Sequence, residues 1–352
     1  MSNLTRYMIK RIAILSLTLV LAIYATVVIA NMGGYVDKLL KDQIKFEIVQ
    51  KLNRDPMFAV LSNEEKERLI AVQFNARIKA AGLDQPFPIR SMIQLTNALT
   101  LNLGRASFLK SASGSSMVSE IILERLPRTI LLFTTGTVLA SLLGLYLGLQ
   151  QAKKALSKFD RSMILFSIFT YVQPAWFFGI LFILLFSFYL RIFPPGGMVS
   201  APPPADPLGY ALDLLYHLAL PLITWVFATF GYWSYTTRNI VLQTMSEDFV
   251  TAAKARGLPS NRVLFRYVLR PASPPIVTGM VFALVFSWTG AIITEAVFNW
   301  PGLGLLFLLA IEVLDAPVLI GLTVVLAYLI FLTVILLDII YAILDPRIKI
   351  SG

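Results

Sequence analysis

The sequence predicts an all-α polytopic membrane protein: six transmembrane helices with a small helical extracytoplasmic cap. Three observations predict it. Of 352 residues, 57% are hydrophobic and only 14% are charged, against roughly 45–50% and about 25% in a soluble chain. Six apolar stretches approach or exceed the roughly 20 residues that cross a hydrocarbon core, and none holds Lys, Arg, Asp or Glu. In the short connections the basic residues gather on one side of these stretches, as the positive-inside rule requires of a spanning chain.

The first stretch, Ile12–Ala30, follows a basic tail with Arg6, Lys10 and Arg11. A secretory signal also starts this way, and Val28 and Ala30 would suit its cleavage site. The run is longer than the roughly 7–15 apolar residues of such a signal, which favours an uncleaved span. Residues 31–128 then form the one large soluble piece. Within it Ser62–Ala81 reads as a helix: Ser62 or Asn63 can cap it, Glu64 and Arg68 sit at i,i+4, and Gly82 suits its stop. Ile70, Phe74, Ile78 and Ala81 make its apolar stripe. Pro86 and Pro88 break the chain before a second amphipathic stretch, Ile89–Leu103.

The remaining spans are Ile130–Leu149, Met163–Leu190, Leu214–Tyr235, Ile276–Thr294 and Val318–Leu337. Pro174 lies inside the third, which is long enough to tilt or kink. Pro301–Ile311 is too short to cross and reads as a re-entrant or interfacial helix. The chain thus divides into a tail and first span (1–30), an extracytoplasmic helical segment (31–128), a five-helix core (129–345) with a loop at 236–271, and a tail (346–352).

Orientation follows from the flanks. Arg6, Lys10 and Arg11 share a side with Lys153, Lys154, Lys158 and Arg161. Arg238, Lys254, Arg256, Arg262, Arg266, Arg270, Arg347 and Lys349 join them, half of the 30 basic residues. The opposite short loops hold Arg191 alone, with Glu312 and Asp315. Both termini are expected in the cytoplasm of a multi-pass protein of the cell (inner) membrane. The net charge of +10 is therefore an orienting signal and not a nucleic-acid surface. With no Cys and the single histidine His217, thiolate sites and multi-histidine metal centres are excluded.

The loop 236–271 is the most informative soluble stretch. Asp248, Thr251, Ala252, Ala253, Lys254, Ala255, Arg256 and Gly257 read as a short helix with a positive-φ glycine stop, and Ala252, Ala253 and Ala255 would let it lie flush in a groove on another protein. After Leu258-Pro259, residues 260–270 give a second amphipathic helix, with Val263, Leu264, Tyr267 and Val268 apolar at helical spacing.

This block resembles the EAA loop of ABC-importer permeases, in the oligopeptide/dipeptide/nickel branch of that family. Ala252, Ala253, Gly257 and Leu269 match the motif, while Thr251, Tyr267 and Arg270 stand where it has Glu, Ile and Pro. Further pieces resemble the family in order: Gly82-Leu83-Asp84-Gln85-Pro86, Leu103-Gly104-Arg105-Ala106-Ser107-Phe108, Glu124-Arg125-Leu126-Pro127-Arg128-Thr129, Glu295-Ala296-Val297-Phe298 with Pro301-Gly302-Leu303-Gly304, Asp315-Ala316-Pro317, and Asp345-Pro346-Arg347-Ile348. The segment Asn31–Phe58 departs, with Asn53-Arg54-Asp55-Pro56 in place of Pro-Gly-Asp-Pro and extra residues before it.

The resemblance implies a type I ABC importer permease for oligopeptides or dipeptides, with oligosaccharides or nickel chelates as alternatives. It implies a heterodimer with a second permease, two ATP-binding cassette subunits and an external substrate-binding protein. It makes the stretch from Asp248 to Gly257, with Leu269, the coupling element that docks on the ATPase. No Gly-x-x-x-x-Gly-Lys-[Ser/Thr] occurs, so ATP and Mg are expected on the partners, and this chain is expected to carry no cofactor, no metal and no catalytic site. An ion-coupled carrier would need charges near the midplane and an internal repeat, and neither is present.

Other residues have quieter readings. Glu295 either meets substrate at an external gate with Pro301, Gly302 and Gly304 or is an interfacial carboxylate in water. His217 is favoured as a hydrogen-bonded structural residue over a proton relay. Asp338 is favoured as the partner of a Lys or Arg. Trp176, Trp225, Trp233 and Trp288 read as packing or interface anchors.

Overall fold

The computed structural model describes residues 3–32 and 34–344, so the Asp345-Pro346-Arg347-Ile348 ending and Lys349 lie outside the described residues. Among those described, regular structure is helical apart from one antiparallel bridge between Arg105 and Met117. In chain order the helices are α1 (Asn3–Asn31), α2 (Tyr35–Leu52), α3 (Pro56–Val60), α4 (Asn63–Ala80), α5 (Phe87–Leu99), α6 (Val118–Lys153), α7 (Lys158–Val172), α8 (Ala175–Phe182), α9 (Pro207–Met245), α10 (Asp248–Ala255), α11 (Ser260–Arg262), α12 (Leu269–Phe286), α13 (Ile292–Val297), α14 (Leu303–Glu312) and α15 (Ala316–Leu344). Five helical stretches are long and apolar enough to cross a membrane, and a bent pair brings the number to 6. Leu303–Glu312 is apolar but short, as the sequence predicts.

The chain forms two compact units, the first built chiefly from 5–124 with 309–331 and the second from 125–308 with 332–344. In the first unit Ile23 of α1, Ala98 of α5 and Val324 of α15 share a buried cluster, and Tyr328 donates its hydroxyl to the Leu99 carbonyl at 2.8 Å. The amphipathic second stretch ends at Leu99 and not at Leu103, because Leu101 takes a positive φ of 56°. The segment that departs from the family holds α2, whose Ile48 and Leu52 pack with Phe58, Ile70 and Phe74. Ser62 caps α4 in a reciprocal box with Glu65, each side chain meeting the other's backbone N–H. Ser62 is thus the cap, and its partner is Glu65.

A buried carboxylate organises the loop before α6. Asp315, fully inaccessible to solvent, accepts the backbone N–H groups of Ser107 (3.0 Å), Phe108 (2.8 Å) and Leu109 (3.0 Å). Two sequence pieces far apart in the chain are one structural feature.

In the second unit α6 and α9 lie unusually close. Gly136, Ala140, Gly144, Gly148 and Ala152 recur every fourth residue on α6; a Cβ on Gly148 would stand 2.6 Å from the Ser234 carbonyl oxygen. Small residues at this spacing let two helix backbones approach, the packing that replaces hydrophobic drive in a membrane. Gly231 gives α7 the same access to α9, where a Cβ would lie 2.5 Å from the Ser167 carbonyl.

Three expectations are corrected. The third span is not a kinked helix: α7 and the helical run Ala175–Tyr189 diverge by 95° at Gln173-Pro174. Pro174 lacks the N–H that would continue α7 and pushes Gln173 into extended backbone (φ −84°, ψ 138°). The helix that carries the fourth span does not stop at Tyr235, since α9 runs on to Met245. The fifth does not reach Thr294; it spans Ser260–Thr289, with a wide i→i+5 stretch at Val263–Val268, and ends at Gly290 (φ 73°). The second helix of the loop therefore runs on without a break into the helix of this span.

Candidate functional site

Within the loop 236–271, α10 is the one helix, among the described residues, that is not continuous with a long apolar helix. Asp248 lies in its first turn and Lys254 in its last, each matched to the helix dipole there. Gly257 follows with φ 72°, and a Cβ at that position would meet nothing within 4 Å. Its glycine serves the left-handed turn, not a packing contact.

The helix has two faces. Val250 and Ala253 are buried among Val241 of α9, Ala152 of α6, and Val263, Leu264, Val268, Ala272 and Ile276 of the following run. Asp248, Phe249, Thr251, Ala252, Ala255 and Arg256 are exposed, with Phe249 at 45%. Of the three alanines expected to meet another protein, Ala252 and Ala255 face outward. Ala253 does not: at i+3 from Val250 it turns into the core, so its smallness serves internal packing. Leu269 opens α12 and is half-buried.

Beneath this region Arg238 on the extension of α9 grips Asp160 in the first turn of α7. Nε meets Oδ1 at 2.5 Å and Nη2 meets Oδ2 at 2.7 Å, with Asp160 only 1% exposed. The Leu156 N–H adds a third donor at 2.9 Å. Sequence reading placed Arg238 among the loop cations and passed over Asp160. The pair became recognisable only once α9 extended past Tyr235.

The second constellation surrounds Glu295 on α13. Its carboxylate is fully buried and not in water. Thr129 of α6 donates to Oε1 at 2.9 Å, and the Leu305 N–H in the first turn of α14 donates to Oε2 at 2.9 Å. Thr129 Oγ1 in turn accepts the Leu303 N–H at 2.7 Å. The two side chains cap α14, supplying acceptors to N–H groups that a helix start leaves unpaired. Burial pushes the Glu295 carboxyl up to about 7, while the Leu305, Thr129 and Gly304 donors pull it down.

Pro301, Gly302 and Gly304 complete this node. A Cβ on Gly302 would stand 2.5 Å from Glu295 Oε2, and one on Gly304 would stand 2.9 Å from the Ile292 nitrogen. Trp300, also fully buried, donates Nε1–H to the Arg128 carbonyl at 3.0 Å. The structure thus brings together all four residues singled out in this region. Thr129 and Trp300 are additions that sequence reading missed. Thr129 stood at the end of a family-like piece, and no spacing links it to residue 295.

His217 is 7% exposed and its Nδ1 lies 2.9 Å from the Asp213 carbonyl, so it is the hydrogen-bonded residue of the quieter reading. Asp338 is buried on α15. A cavity of about 520 Å³ in the second unit is lined by Tyr171, Trp225, Thr229, Tyr232, Phe286 and Ser287 among others, with aromatic faces and hydroxyls and no charge. Among the described residues no group of His, Cys, Asp and Glu could hold a metal ion.

Residues 136–350 match the family described as binding-protein-dependent transport system inner membrane component. A putative peptide permease protein of Brucella suis biovar 1 is 32% identical over 306 residues, covering 87% of this chain and 93% of the relative. The oligopeptide transport system permease protein AppB of Bacillus subtilis is 30% identical over 310 residues, with 87% and 93% covered. The di/tripeptide transport system permease protein DppB of Pseudomonas aeruginosa is 29% identical over 321 residues, again with 87% and 93% covered.

Proposed function

The chain belongs to the binding-protein-dependent transport system inner membrane component family, and from that premise we propose that it is the permease subunit of an ATP-driven importer of short peptides, coupled to its ATPases through α10. The peptide substrate comes from the names of its relatives. The single observation that supports the coupling is the two-faced α10: one face locked to the core by Val250 and Ala253, the other a small, exposed, charged surface.

A helix anchored this way transmits force. Pushing the exposed face moves Val250 and Ala253, which bear on α9 and on the start of the Ser260–Thr289 span. The third buttress is Asp160–Arg238, which ties α7 to α9. ATP-driven closure of two cassette subunits would then rock the spanning helices and switch access to a central path shared with a second permease. The uncharged aromatic and hydroxyl wall around Trp225 and Tyr232 suits a path that must release its cargo. A substrate-binding protein delivers that cargo at the opposite end, and both termini lie in the cytoplasm.

The test is uptake of a radiolabelled dipeptide into proteoliposomes holding the complete complex. Uptake is expected to require ATP and the binding protein and to ignore proton and sodium gradients. Gradient-driven uptake without ATP would overturn the reading.

A further inference from the structure

Helix α5 packs by one side and leaves an apolar stripe outside. Ser91 and Ala98 are buried, and Leu95 and Leu99 half-buried. Ile89 (53%), Met92 (54%) and Ile93 (38%) are exposed. With Pro88 and Thr96 they line a shallow depression of about 490 Å³, without a charged or amide side chain. Its one hydroxyl is returned to the helix, since Thr96 donates Oγ1–H to the Met92 carbonyl at 3.0 Å. The polar residues Arg90, Gln94 and Asn97, at i, i+4 and i+7, form a separate edge, where Arg90 pairs with Asp37 of α2.

The depth of α5 says what covers this stripe. Leu95, Ala98 and Leu99 pack in one cluster with Leu19 and Ile23 of α1 and Val324 of α15, and Tyr328 of α15 donates to the Leu99 carbonyl at 2.8 Å. Both partners are long apolar helices that can span a membrane, over Ile9–Asn31 and Ala316–Asp338. At about 1.5 Å per residue, Ile23 and Leu19 lie about 10–16 Å inside the end of their apolar run at Ala30. Val324 and Tyr328 lie about 9–15 Å inside the end of theirs at Val318. A hydrocarbon core is about 30 Å thick, so the C-terminal part of α5 reaches well into one leaflet. Its 13 residues extend about 20 Å, too short to cross. On α1 the neighbouring turns expose Leu17 and Leu21, and Thr18 and Thr26 likewise bond back to the Ile14 and Ala22 carbonyls. Hydroxyls held this way leave no unpaired donor toward hydrocarbon. We propose that α5 is an interfacial helix, embedded in the leaflet around the C-terminal half of α1, with lipid acyl chains seated on Ile89, Met92 and Ile93. The inference rests on the spanning helices and goes beyond the transport reading.

The chain contains no Cys, so a nitroxide label can be placed at one position at a time. Ile89→Cys, Met92→Cys, Ile93→Cys and Thr96→Cys sample the stripe, with Leu21→Cys on α1 as lipid reference and Asn75→Cys on α4 as water reference. All these positions are exposed, so the variants keep the fold, which the gel-filtration profile checks. The labels are read in phosphatidylethanolamine/phosphatidylglycerol proteoliposomes, with the full-length chain alone and in the assembled transporter. The readout is the collision rate with oxygen, which concentrates in hydrocarbon, and with nickel ethylenediaminediacetate, which stays in water. The stripe is expected to follow Leu21, with an oxygen-to-nickel ratio at least about tenfold above that at Asn75, since hydrocarbon excludes a polar chelate. A ratio equal to that at Asn75 would place the stripe in water. Low rates for both reagents with an immobilised spectrum in the assembled transporter would place a protein partner on it. Either outcome overturns the proposal. Uptake does not enter the readout, so the result is independent of what the complex imports.

Discussion

Arg238 clasps Asp160 through two parallel hydrogen bonds, at 2.5 and 2.7 Å, and thereby fixes the start of α7 against the extension of α9. Removing one partner strands a buried charge, which costs about 3–5 kcal/mol, while replacing both by apolar residues of similar size is close to neutral. Arg238→Met should therefore destabilise the purified chain strongly in denaturant titrations. Adding Asp160→Leu should restore most of the loss. A double variant as weak as the single one would show that the pair is not what holds these helices.

Asp315 gives a prediction about order. Its carboxylate receives three consecutive backbone N–H groups, and each donor left unpaired in a buried site costs about 1–3 kcal/mol. Asp315→Ala should free the loop at Ser107–Leu109. Hydrogen exchange at those amides should accelerate by at least about tenfold, with α6 protection kept. Unchanged exchange would mean that other contacts hold the loop.

Glu295 ties stability to pH. Its folded-state pKa is raised from 4.5 to about 7 by burial, so between those values the folded protein holds a proton that the unfolded chain has released. Stability must fall as pH rises through that window, by about 3 kcal/mol in total. Thermal unfolding in detergent should show a lower midpoint at pH 8 than at pH 5. Glu295→Gln, which keeps the shape and one of the two acceptor oxygens without the charge, should flatten the slope. A wild-type midpoint that rises with pH would show that the donors from Thr129, Gly304 and Leu305 outweigh burial.

Which features were legible follows from their range. Spans are set by local composition, so α1, α6, α9, α12 and α15 were readable from hydropathy, as was the short α14. Capping is also local, and Ser62 with Glu65 lies three residues apart. The Gly136–Ala152 stripe was written at every fourth position of α6, but a small residue shows its purpose only when α9 is laid against it. Ends were harder: helix α9 outruns its apolar stretch because Thr237 and Val241 still find buried neighbours. Long-range polar pairs such as Thr129–Glu295 and Phe108–Asp315 carried no signal in spacing. Pro174 was seen, yet a kink and a 95° break look alike in one sequence.

The neighbours Ala252 and Ala253 allow the proposed coupling to be tested apart from folding, because Ala252 is exposed on α10 and Ala253 is buried. Ala253 is 3% exposed against Val250 and Val268, so Ala253→Trp overfills a packed core and should lower expression and thermal stability, overpacking costing about 1–3 kcal/mol or more. Ala252→Trp meets only solvent in the isolated chain and should leave its unfolding midpoint within about 1 °C, since exposed substitutions rarely exceed ~0.5 kcal/mol. In the assembled transporter the same Ala252→Trp should abolish ATP hydrolysis stimulated by the loaded binding protein. Gly257→Val should do so too, at a fold cost of about 1–2 kcal/mol from its left-handed backbone. If the Ala252→Trp complex keeps full stimulation, the exposed face of α10 is not where the ATPase presses, and the lever must be sought elsewhere in 236–271.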